Sequence, residues 1–100
     1  MPVDYPVLVT GDEGAAPGTV TNLTLAGGEV KSRVQFPLGA RVSVTVMPPG
    51  ARPPITIALA IVRWQESDRC GIEFVRFEGN AKEQLEDMLN QRENPAATDD

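Results

Sequence analysis

One hundred residues, 41% of them apolar and 5% aromatic, make a chain long enough for one hydrophobic core and too short for two. Nine basic side chains against fourteen acidic ones leave a formal charge of −5, which excludes the basic footprint of a general nucleic-acid binder. A lone cysteine, Cys70, and no histidine exclude an internal disulfide, a cysteine/histidine zinc centre and the usual Ser-His-Asp and Cys-His catalytic sets.

From the N-terminus to Phe77, short runs rich in β-branched residues alternate with glycine and proline clusters, the pattern of successive antiparallel strands. The first strand is expected over Pro6 to Thr10. Gly11 to Gly18 has the composition of a loop, and a second strand runs from Thr19 to about Leu23. After Ala26, Gly27 and Gly28, a third spans Glu29 to Val34, with Val30 and Val34 on one face and Glu29, Lys31 and Arg33 on a wet one. Phe36, Pro37, Leu38 and Gly39 read as a turn. Arg41 to Met47 then alternates strictly, Val42, Val44 and Val46 against Arg41, Ser43 and Thr45.

Pro48 to Pro54 holds four of the nine prolines and cannot donate to a ladder, so it is expected as a stiff hairpin loop. Ile55 to Trp64 is apolar on both faces, Ile55, Ile57, Leu59 and Ile61 opposing Ala58, Ala60, Val62 and Trp64. Such a strand requires a cover on its outer side. Cys70 to Val75 forms the last strand after a polar turn at Gln65 to Arg69. The period then changes. Asn80 with Glu83 marks a helix start, and Ala81, Leu85, Met88 and Leu89 form one apolar stripe ending near Arg92, the expected cover. Residues 1–93 therefore read as one domain and 94–100 as a disordered acidic tail. The fold class is all-β with one helix, a small six-stranded antiparallel barrel with its C-terminal α-helix across an opening or a face.

Little here resembles catalytic chemistry. The loop Gly11 to Gly18 lacks the lysine and hydroxyl of a phosphate loop and carries Asp12 and Glu13. The pairs Glu86-Asp87 and Asp99-Asp100 fall on an expected helix surface and in the tail, whereas general acid and base work would need a pocket, so they read as solvated. Cys70 reads as a small buried hydrophobe. No enzyme, metal or cofactor is expected. No basic leader with a long apolar run opens the chain and no span of about eighteen apolar residues occurs, so the compartment is read as cytoplasmic without membrane insertion.

One ordered series of motifs is more specific. Gly18, Val20, Asn22, Thr24, Gly27 and Gly28 fall at the spacing G-x-V-x-N-x-T-x-x-G-G. Leu38, Gly39, Val42 and Val44 follow, then Val62-Arg63, Gly71 with Phe74, and Leu85 and Leu89 in the helix. In this order they resemble a PilZ domain over most of the chain. The resemblance implies a six-stranded barrel with a C-terminal helix, acting as a cyclic di-GMP receptor or as a protein-interaction module. It also implies that Asn22, Thr24 and Gly27, matching the family's N/D-x-S-x-x-G turn, are the candidate nucleotide-binding residues, with threonine in the serine position. The same three residues can equally serve only to build a turn, through side-chain bonds to local backbone and a permissive glycine.

The family's second element, an R-x-x-x-R pair upstream of the first strand, has no counterpart in Met1 to Pro6, and the first basic residue of the chain is Lys31. Each missing charge-assisted bond is worth about 1.5–3 kcal/mol, so affinity for the doubly anionic dinucleotide is expected to fall by about a hundredfold or more. The resulting expectation is a PilZ-like adaptor with weak or absent cyclic di-GMP binding, working through a protein partner and related to motility or type IV pilus regulation. Met47, the loop Pro48 to Pro54 and Trp64 are its candidate contact residues, Trp64 otherwise serving as a barrel or helix-packing side chain. The alternative is a true cyclic di-GMP receptor whose clamp comes from Arg33, Arg63 or Arg69, or from a partner chain.

Overall fold

The computed structural model describes residues 2–12, 14–50 and 52–93, with side chains as far as residue 90. Its strands are β1 (Pro2–Gly11), β2 (Gly14–Leu23), β3 (Gly27–Lys31), β4 (Arg41–Val46), β5 (Ile55–Glu66) and β6 (Arg69–Phe77), followed by the helix α1 (Ala81–Glu93). Every neighbouring pair is antiparallel, and the sheet closes as β1-β2-β3-β6-β5-β4. The expected six-stranded barrel with a C-terminal helix is the observed architecture. The stretch read as an acidic tail, 94–100, lies outside the described residues.

Alternation fills the interior. Tyr5, Val7 and Val9 of β1 lie beside Val42, Val44 and Val46 of the adjacent β4 on the inner face, and all six are buried. Two lids close the barrel. At one end α1 brings Ala81, Leu85, Met88 and Leu89 into the same buried cluster as the strand interior. It sits beside the proline loop and the start of β5, where Arg52 meets Asp87 at 3.8 Å. The helix therefore plugs an opening and does not blanket the outer face of β5. At the other end the segment from Ser32 to Ala40 crosses from β3 to β4, and Phe36 enters the core. It is tied down by Gly39 N–H to Val62 O (2.8 Å), by Phe36 N–H to the Gln65 side chain (3.3 Å) and by Gln35 to Ser67 O (2.8 Å).

Several strand limits differ from the sequence reading, each for a local reason. Pro2 to Tyr5 and Gly14 to Gly18, read as flanking chain and loop, extend β1 and β2 into one long hairpin closed at Gly11↔Gly14. Proline is tolerated there because each extension lacks a full ladder on its second side. β4 pairs β1 only from Val7 to Thr10, beyond Pro2 and Pro6, and β3 pairs β2 only from Thr19 onward, beyond Pro17. Ser32 donates to Pro17 O at 3.1 Å and accepts from Val34 N–H at 3.2 Å, which bends the chain out of β3. Val34 is consequently exposed and does not share the inward face of Val30.

The two apolar faces of β5 have the same kind of origin. Ile55 and Ile57 point inward, the register then shifts against both β4 and β6, and Ala60 and Val62 point inward instead. A strand that changes phase midway reads as apolar on both faces. Leu59 and Ile61 are thereby left half-buried on the outside.

Candidate functional site on the outer barrel wall

Ladder registers bring four residues into one transverse row. Asn22 of β2 pairs with Glu29 of β3, Glu29 with Gly71 of β6, and Gly71 with Trp64 of β5. Directly opposed residues share a face, so the row reads Asn22, Glu29, a gap at Gly71, then Trp64. Into that gap the indole leans: a Cβ on Gly71 would lie 2.0 Å from Trp64 Nε1. A further register shift between Val62 and Trp64 turns Trp64 outward, where it is 41% exposed. It packs neither in the barrel nor on the helix, contrary to that sequence reading.

Beside this row lies the β2–β3 turn. Thr24 closes it entirely with local bonds: its N–H donates to Gly27 O (2.9 Å), and its hydroxyl accepts from Ala26 N–H (3.1 Å) and Gly27 N–H (3.3 Å). Gly27 is required by close approach, since a Cβ there would stand 2.1 Å from Ile72 O. Asn22, Thr24 and Gly27 thus come together, at the margin of an open cleft of about 420 Å³ that also takes in Glu29, Trp64 and Glu73.

Both carboxylates of the cleft have arginine partners on the surface. Arg63 Nε donates to Glu73 Oε1 at 2.5 Å, and Arg69 stands 3.7 Å from Glu29 Oε1, which also accepts from the Thr21 hydroxyl at 2.8 Å. Sequence reading named Arg63 and Arg69 as nearby cations. It did not place Glu29, Glu73 and Trp64 in the site, because their proximity arises from the register of β3, β6 and β5, which no single segment encodes. Among the described residues no group of three acidic or cysteine side chains could hold a metal ion. Cys70 points inward, and burial pushes its thiol pKa up, away from the reactive thiolate.

A second surface lies apart from the cleft. Pro2, Tyr5 and Pro6 of β1 with Met47, Pro48 and Pro49 line a shallow, largely apolar groove of about 670 Å³, with Asp4 on its rim. Met47 is 41% exposed within it.

The fold is a closed antiparallel barrel with a helical plug, and it carries a glycine-built cleft on its outer wall. The PilZ domain family model matches residues 1–91, and the chain belongs to that family, whose members are binding and adaptor domains related to cyclic di-GMP signalling. Among solved structures it is similar to the PilZ domain of CeSA from a cellulose synthesizing bacterium, at 15% identity and a TM-score of 0.68. That match covers 93% of this chain and 96% of the other. No curated protein matches it. Among the described residues no helix is long and apolar enough to cross a membrane.

Proposed function

We propose that this protein is a cytoplasmic PilZ adaptor that acts through a protein partner, in motility or type IV pilus regulation, and has weak or absent affinity for cyclic di-GMP. The observation that carries this reading is the charge of the cleft. Glu29 and Glu73 line it and hold Arg69 and Arg63, while the Thr24 hydroxyl is committed to its own turn. A dinucleotide with two phosphodiesters would meet carboxylates where it needs free donors. Met1 to Pro6 contains no arginine.

The groove at Met47 and Pro48 is the surface best suited to a partner, being apolar and exposed. Motility and pilus roles rest on the family alone. The receptor alternative draws support from one observation, that Arg63 and Arg69 stand at the margin of the cleft. Calorimetric titration with cyclic di-GMP at low salt separates the two. No saturable heat is expected, and micromolar binding abolished by Asn22→Ala would reject the adaptor reading.

A further inference from the structure

We infer that Glu29 and Glu73 are specificity-determining residues: built-in anions that occupy Arg69 and Arg63 and bar phosphodiester ligands from the outer-wall cleft. The inference rests on the proposed reading of that cleft and names the groups responsible for it.

The geometry supports it in three ways. Both carboxylates line the cleft itself: Glu29 pairs with Gly71 across the β3–β6 ladder, and Glu73, two residues along β6, pairs with Gly27. Each is matched to one arginine from β5 or β6, so the cleft holds two balanced pairs with no cation left over in those pairs. The arginine side chains are 55% and 53% exposed, so these pairs are individually weak and their guanidiniums are free to re-aim once the carboxylate charge is gone. A carboxylate and a phosphate oxygen make the same charge-assisted bond to guanidinium. An arriving phosphodiester would share each arginine with a second anion a few ångströms away, and that repulsion discriminates against anionic ligands.

Glu73 is 51% exposed in its side chain; Glu29 is 29% exposed and also accepts from the Thr21 hydroxyl, a bond that the amide oxygen of Gln can keep. The residues therefore set selectivity at little cost to the barrel.

The test is titration calorimetry with cyclic di-GMP at low ionic strength on the unmodified protein and on Glu29→Gln/Glu73→Gln, with circular dichroism to verify folding. The double variant should gain affinity on the order of tenfold or more, with each single variant between. The gain should shrink with added salt. Asp12→Asn/Glu86→Gln changes net charge equally away from the cleft and should gain nothing. Adding Arg63→Ala and Arg69→Ala to the double variant should erase its gain. Equal affinity of the unmodified protein and the folded double variant, an equal gain in the remote control, or a gain that survives loss of both arginines would each overturn the inference. Micromolar binding by the unmodified protein would instead overturn the reading of the cleft under Proposed function, so the two failures are distinguishable.

Discussion

Strands β3, β6 and β5 carry two surfaces built by opposite rules. On the inside, Val30, Cys70, Ile72, Ala60 and Val62 pack a continuous apolar core. On the outside the same strands carry Glu29, Glu73 and Trp64, with Gly71 buried beneath the indole, so that small residues make room and charges face one another. The interior is held by volume and fails by losing it. The outer wall is held by the absence of side chains at Gly27 and Gly71 and fails by gaining them. The difference teaches where this barrel has room to specialise: side chains on the wall can change without removing volume from the core.

The largest effect should come from the interior. Leu85 of α1 is fully buried at the plugged end, so Leu85→Ala should lower unfolding free energy by about 2–5 kcal/mol in urea titrations. A loss below about 1 kcal/mol would mean that the helix is peripheral to the core. On the outer wall, Gly27→Ala should cost about 1–3 kcal/mol, because the Ile72 carbonyl that its Cβ would meet belongs to a paired strand and cannot retreat freely. Gly71→Ala should cost less, about 1 kcal/mol, since its obstacle is an exposed indole that can swing away. In a Trp64→Ala background that cost should vanish, a coupling that a double-mutant cycle reads directly. Trp64 is the sole tryptophan, so Gly71→Ala should also shift its fluorescence. An additive cycle would show that the indole does not rest on Gly71.

Much of the inner surface was legible in the sequence. Strict alternation from Arg41 to Val46 and the stripe Ala81, Leu85, Met88 and Leu89 each report one buried face by themselves. Phe36 was missed as a core residue because a Phe-Pro-x-Gly run looks like a turn, and only the crossing of the barrel end buries its ring. The start of β2 was missed because Ala15, Ala16 and Pro17 have poor strand propensity, which their pairing with Thr10, Val9 and Leu8 overrides. On the outer wall, the motif at Asn22, Thr24 and Gly27 located the turn. Its neighbours Glu29, Glu73 and Trp64 are set by inter-strand register, and the bulge that turns Trp64 outward leaves no mark in a run of apolar residues.

Cys70 separates the two surfaces most finely, being the inward neighbour of outward Gly71 on β6. Burial raises its thiol pKa in the folded state above the ordinary value of 9.0. Below that value the thiol is neutral in both states and its packing contribution is complete. As pH climbs past 9.0 the unfolded ensemble releases its proton first, so stability falls until the folded thiol ionises as well. The added slope cannot exceed about 1.4 kcal/mol per pH unit. Urea midpoints at about pH 8 and about pH 10 should therefore converge for Cys70→Ala relative to the unmodified protein, the variant starting less stable but losing less on the alkaline side. Parallel losses in the two proteins would place the thiol in water and with it the inward face of β6.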